Sequence, residues 1–123
     1  MKGENISRRL RMFAAQVIRA GRTFPPDAVA KHIMRQLVRS VTGGGANYEE
    51  ARGSESRADF IHKVGVANKE LRETLYWLRL AQDAELVRSV DVLVAEANEL
   101  IAILTASSKT ANENEMAAQL NRG

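Results

Sequence analysis

Residues 46–79 read ANYEEARGSESRADFIHKVGVANKELRETLYWLR, and the second half of that stretch decides the fold. Phe60, Val64, Ala67, Leu71, Leu75 and Leu78 recur at three- and four-residue steps with no proline among them. That is the spacing of one apolar face of a long α-helix, here expected to run to about Ala84. Just ahead of it, Ser56 and Asp59 form a Ser-x-x-acid pattern, which suits a capped helix start. Gly53-Ser54 marks the chain reversal before that start.

The same periodicity extends outward in both directions. Upstream, Val29, Ile33, Leu37 and Val41 share one face, widened by Ala30 and Met34, while Lys31, Arg35 and Arg39 line up outside it. A first segment from about Ser7 to Ala20 places Leu10, Phe13, Ala14 and Val17 inward, with Arg8, Arg11, Arg19 and Arg22 on the opposite side. Gly21 supplies a stop and Pro25-Pro26 a turn, with Pro26 suited to open the next helix. Gly43-Gly44-Gly45 predicts either a break in the second helix or a close crossing of small residues. Downstream of a connection around Glu85 to Ser89, Leu93, Ala97, Leu100, Ile101 and Leu104 define a fourth helix flanked by Val90 and Val94.

Four amphipathic helices with short connections predict an all-α protein, an antiparallel up-and-down four-helix bundle. Its length of 123 residues suits one core. Residues 1–110 read as that single domain. Residues 111–123 keep only Met116 and Leu120 as large apolar groups among polar ones, and read as a mobile tail. The lean 5% of aromatics implies a core of Leu, Ile, Val and Ala.

Absence of cysteine excludes disulfides and thiolate metal sites. The N-terminal stretch is arginine-rich with no apolar h-region, and nowhere do about 18 apolar residues run together. The expectation is a cytoplasmic protein without membrane contact. Charge is uneven: residues 1–40 carry nine basic side chains against Glu4 and Asp27, while the remainder is net acidic. Such a basic half can attract nucleic acid or face the acidic half of its own or a neighbouring chain.

Most familiar chemistries find no support. The triple glycine has no strand before it and no Gly-Lys-Ser/Thr after it, so a phosphate loop is not indicated. Asp59-x-x-His62 and Glu70-x-x-Glu73 have di-iron-like spacing, but a matching acid-x-x-His motif on a second helix is missing. His32 lies near the basic face without an apparent partner, and no Ser–His–acid arrangement can be drawn. Lys69 and Glu73 form an i, i+4 pair that makes a solvated surface the simple reading. The expectation is a non-enzymatic protein with no cofactor, no metal and no evident small-molecule substrate.

Two surfaces remain. Arg8, Arg11, Arg19, Arg22, Lys31, Arg35 and Arg39 are candidate phosphate contacts, for RNA or DNA read by shape and charge because stacking aromatics are absent from those rows. On the third helix, His62, Val66, Lys69, Glu73, Trp77 and Leu80 trace a second stripe roughly opposite the inward one, with Tyr76 beside it. An aromatic ringed by charge is typical of interfaces, so His62, Val66, Trp77 and Leu80 are the candidate contacts for self-association.

Several pieces, taken in order, resemble one bacterial family. They are Arg35-Gln36-Leu37-Val38-Arg39-Ser40, Ala46-Asn47-Tyr48-Glu49-Glu50-Ala51, Ser56-Arg57-Ala58-Asp59-Phe60-Ile61-His62-Lys63, Lys69-Glu70-Leu71-Arg72-Glu73, Tyr76-Trp77-Leu78, Glu96-Ala97-Asn98-Glu99-Leu100 and Ile103-Leu104. The resemblance is to the four-helix-bundle proteins named for intervening sequences of 23S ribosomal RNA genes, and it spans about residues 8 to 110. It implies a left-handed up-and-down bundle and a ring-like homopentamer around a channel, with no assigned activity. A similar basic pentameric bundle is the nucleic-acid-binding accessory protein of diversity-generating retroelements, an analogy of fold alone. Many relatives have a Ser or Thr with one glycine before the Ala-Asn pair, where this chain has three glycines. A nucleic-acid-binding accessory and a purely structural interaction module both stay open.

Overall fold

The computed structural model describes residues 2–123, with Met1 outside them. Among the described residues there are four helices and no strand: α1 (Lys2–Gly21), α2 (Ala28–Arg52), α3 (Arg57–Asp83) and α4 (Asp91–Arg122). α1 begins ahead of the expected Ser7 because Ile6 completes its apolar row, buried together with Leu10, Phe13 and Val17. Asp27, rather than Pro26, starts α2: its carboxylate accepts the N–H of Ala30 at 2.8 Å, and both prolines lie in the turn before it. Ser56 caps α3 by accepting the N–H of Asp59 at 3.0 Å, as its spacing predicted.

α3 closes with Glu85 in the left-handed region, φ 62°. The Leu86 N–H donates to the Ala81 carbonyl at 2.9 Å across that end. α4 starts without a side-chain cap, and the Val90 N–H instead donates to the Gln82 side chain at 2.9 Å. The last helix is uninterrupted at residue 110. The stretch expected as a mobile tail continues as helix to Arg122, with Glu115 held by Arg57 at 3.5 Å and by Arg122 at 3.6 Å.

α2 passes unbroken through the three glycines, so the small-residue crossing holds and the break does not. Each glycine meets something different. A Cβ on Gly43 would stand 2.6 Å from Glu70 Oε2, one on Gly44 3.1 Å from Leu71 Cδ2, and one on Gly45 3.9 Å from Leu10 Cβ. Two of the three therefore make room for α3, and the third looks toward α1.

Phe13, Leu10, Leu37, Leu71, Leu78, Leu100 and Leu104 are the largest fully buried side chains, and they draw on all four helices. Each contributes about 1.5–3 kcal/mol by leaving water. Val29, expected inward, lies in the first turn of α2 and is 64% exposed, while Ala30 takes the inward place. Two polar residues are buried within this core, Ser40 of α2 and Thr74 of α3. Their hydroxyl oxygens lie 2.9 Å apart, and the Leu37 and Glu70 carbonyls stand within 3.3 and 2.9 Å as final acceptors.

Contacts between successive helices run in opposing residue order. From α1 to α2, Gly3 lies beside Arg52, Ser7 bonds Glu49 and Gly21 meets Met34. From α2 to α3, His32 meets Trp77, Arg39 meets Glu73 and Gly44 meets Ala67. From α3 to α4, Arg57 reaches Glu115, Asn68 reaches Thr105 and Gln82 reaches Val90. α2 with α3 is the most extensive contact and α1 with α4 the slightest.

Candidate nucleic-acid and assembly surfaces

The seven cations singled out in the sequence separate into two kinds. Arg8, Arg11 and Arg19 project from the face of α1 opposite Leu10, Phe13 and Val17, Arg22 follows in the turn after Gly21, and Lys31 and Arg35 project from α2; all six are exposed. None of the six makes a side-chain hydrogen bond or ion pair with another described residue. Arg39 differs: its guanidinium bonds Glu73, lies 3.6 Å from Glu70 and reaches Gln36 at 3.2 Å. That arginine serves the α2–α3 contact before it serves any ligand.

Between α1 and α2 lies a trough of about 530 Å³, floored by Leu10, Ala14, Val41 and Gly45 and rimmed by Arg8 and Arg11. Glu49 also lines it. The Glu49 carboxyl is held below the usual range, chiefly by the hydrogen bond from the Ser7 hydroxyl and then by Arg52 at 3.0 Å. A larger groove of about 1080 Å³ opens at the end of the helices, between Lys2 of α1, Arg52 of α2, Phe60 of α3 and Ile103 and Asn114 of α4. Tyr48 lines it from a buried position that pushes its phenol upward.

Arg9, unlike its neighbours, was not marked by the sequence as special. Its guanidinium meets both carboxylate oxygens of Glu96 at 2.8 Å and Glu99 at 2.8 Å, and these hydrogen bonds raise its already high pKa. Its position, about 100° around α1 from Arg8, was the available signal. Part of the basic N-terminal half is thus neutralised within the chain, across the slight α1–α4 contact.

The second stripe on α3 is not uniformly outward. His62 is exposed and Val66 half-buried, but Trp77 and Leu80 pack partly against the protein's own core. Trp77 turns into the α2–α3 seam, where its indole N–H donates to Glu73 at 3.3 Å and its ring meets His32 edge-on at 6.1 Å. The expectation that Trp77 sits opposite the inward stripe is corrected by that seam: α2 occupies the flank of α3 on which Trp77 falls. Lys69 does not pair with Glu73, which is engaged by Arg39 and Trp77. Sequence reasoning missed instead the i, i+4 pair of Asp59 and Lys63 at 3.7 Å.

The acid-x-x-acid and acid-x-x-His spacings do not converge. Asp59 faces Lys63, His62 is exposed, and Glu70 and Glu73 both turn to Arg39. Among the described residues no group of three His, Asp or Glu side chains is placed to hold a metal ion. No helix among them is long and apolar enough to cross a membrane.

Residues 4–106 match the family described as 23S rRNA-intervening sequence protein. The chain belongs to that family. A solved member of the S23 ribosomal protein family from Bacteroides thetaiotaomicron VPI-5482, a protein with unknown function, is 30% identical. It superposes with a TM-score of 0.77, over 89% of this chain and 99% of the other. Among curated proteins no match is found. The solved neighbour shares the fold and has no known function, so neither comparison assigns an activity. The matched span ends within α4, so the turns carrying Met116 and Leu120 lie beyond it.

Proposed function

We propose that this protein is a non-enzymatic homo-oligomer that binds RNA or DNA through the outward faces of α1 and α2, as an accessory or scaffold. The observation that carries the reading is the set of exposed cations Arg8, Arg11, Arg19, Arg22, Lys31 and Arg35, whose side chains make no hydrogen bond or close ion pair with another described residue, Arg11 acting on Glu49 only through its field. Phosphate contacts of this kind give salt-dependent, shape-led binding. Arg39 contributes less, because Glu70 and Glu73 already hold it.

The helices form an antiparallel, left-handed up-and-down bundle in this proposal. The opposing residue order of the interhelix contacts supports the antiparallel part, and the sequence resemblance supports the hand. The arginine-rich N-terminal stretch underlies a cytoplasmic location, and the same resemblance underlies a homopentamer. Its contact face is the His62 and Val66 end of α3, with Trp77 and Leu80 contributing less than the sequence implied because they are half covered. Light scattering should give five copies, and His62→Glu with Val66→Glu should reduce that mass; a monomeric parent protein would overturn the assembly.

Binding is tested by retention of a structured RNA hairpin and a DNA duplex at low ionic strength. Affinity should fall steeply as salt rises, and more weakly so in Arg8→Gln with Arg11→Gln. Absence of salt-dependent retention favours the second reading, a structural module without nucleic acid. One observation supports that alternative: Arg9 with Glu96 and Glu99 already neutralises part of the basic half.

A further inference from the structure

Three aromatic rings cross the seam between α2 and α3 in sequence. Tyr76 and Trp77 meet at 5.1 Å with planes at 77°, and Trp77 and His32 at 6.1 Å with planes at 85°. An edge-on contact uses at most one flat face of a ring, and Tyr76 remains 59% exposed. His32 at the other end of the series is exposed as well.

Cations flank the rings on both helices. Arg72 and Arg79 stand one turn to either side of Tyr76 and line, with Leu75 and Leu80, a groove of about 310 Å³ beside it. On α2, Arg35 stands one turn beyond His32, while Lys31 lies about 100° around the helix; both line a pocket with Gly21, Phe24 and Met34 on the side toward α1. None of these four side chains makes a hydrogen bond or ion pair with a described residue. Of the nearby acids, Glu73 is held by Arg39 and the Trp77 indole, which leaves Asp83 as the unengaged carboxylate in that groove.

Open π-faces between unpaired cations are what single-stranded nucleic acid requires. Its bases stack on aromatic or imidazole rings and its phosphates take the flanking charge. A duplex keeps its bases stacked on one another and offers only backbone to such a surface. We infer that the exposed rings of Tyr76 and His32, bridged by the half-buried Trp77, form a stacking platform for single-stranded nucleic acid, with Arg72 and Arg79 on one side and Arg35 beyond His32 as its phosphate contacts. This rests on the nucleic-acid reading above and specifies its substrate class. The Tyr76 end of the platform is about 15 Å along α3 from Val66, and the two surfaces share only the half-covered Trp77 and Leu80.

Trp77 is the single tryptophan of the chain, so its fluorescence reports on the site directly. The full chain at low salt is titrated with an oligodeoxythymidylate and, separately, with a DNA hairpin duplex. The single strand should quench Trp77 and the duplex should not. By anisotropy of a labelled oligodeoxythymidylate, Tyr76→Ala should weaken binding about tenfold, Tyr76→Phe should restore it, and duplex affinity should stay unchanged. If single strands bind but Tyr76→Ala and His32→Ala leave their affinity intact, the platform is wrong while the basic-face reading stands. If neither nucleic acid binds, both fall together. A change of mass in light scattering on Tyr76→Ala would instead make this surface a contact between copies and overturn the inference.

Discussion

Gly44 of α2 and Leu71 of α3 pass so closely that a Cβ on the glycine would stand 3.1 Å from Leu71 Cδ2. Leu71 is fully buried, so it has little room to retreat, and the crossing depends on a missing side chain. A helix interior otherwise prefers alanine over glycine by about 1 kcal/mol. The chain gives up that preference where two backbones approach.

A graded series follows along the glycines of α2 and α3. A Cβ on Gly65 would find nothing within 4 Å, and one on Gly45 would meet only an ordinary contact at 3.9 Å. Alanine at either site should raise stability by roughly 0.5–1 kcal/mol in urea unfolding. Gly44→Leu should instead cost about 1–3 kcal/mol by overpacking against Leu71. Equal responses at Gly44 and Gly65 would refute the crossing as the reason for the glycine.

The buried hydroxyls of Ser40 and Thr74 should behave as a unit. Their 2.9 Å contact ends at backbone carbonyls on either side, so both protons have acceptors. Ser40→Ala alone should destabilise by about 0.5–1.5 kcal/mol. Adding Thr74→Val removes the remaining hydroxyl together with its need for a partner, and the double variant should cost less than the sum of the singles. Strict additivity in a double-mutant cycle would show that the pair is uncoupled.

Glu85 holds a left-handed backbone, φ 62°, at the end of α3, with its side chain exposed. Glycine adopts that conformation without a Cβ penalty, so Glu85→Gly should stabilise the chain by roughly 1 kcal/mol. Denaturant midpoints compare the two directly, and a lower midpoint for the glycine variant would contradict the assigned strain.

Acid should act in part through Glu49. The Ser7 hydroxyl, followed by Arg52, holds its carboxyl below the usual range. A depressed folded-state pKa contributes stability that is fully present above the unfolded value, about 4.3, and is lost as pH falls through the lower folded value. Ser7→Ala should move the Glu49 midpoint upward, as followed by NMR of its side-chain carboxyl carbon, and flatten that part of the acid transition. An unchanged midpoint would show that Ser7 is not the cause.

The local elements were legible in the residue order alone. Apolar residues at three- and four-residue steps, the Ser56 cap and the stop at Gly21 are properties of neighbouring residues on one helix. Solvent removal from Leu10, Leu37, Leu71 and Leu104 needs only those positions to share a face, and periodicity reports a face directly. The all-α class followed from that pattern, and the family from the ordered resemblance of several short segments, residues 46–51 and 56–63 among them. The basic rows of α1 and α2 were legible for the same reason, as they are repeats within one helix.

What required the tertiary structure was every relation between helices. Periodicity specifies an angle around an axis but not what stands beside it, so Arg9 lay outside the basic row with no role until α4 brought Glu96 and Glu99 against it. For the same reason Trp77 looked outward until α2 placed His32 and Arg39 along its flank. The three glycines were open between a break and a crossing, because glycine weakens a helix locally and only the approach of Leu71 and Glu70 gives that weakness a use. The sequence by itself determined which faces had to be buried, and the packing of one helix on another decided which charged and aromatic groups remained free to meet a partner.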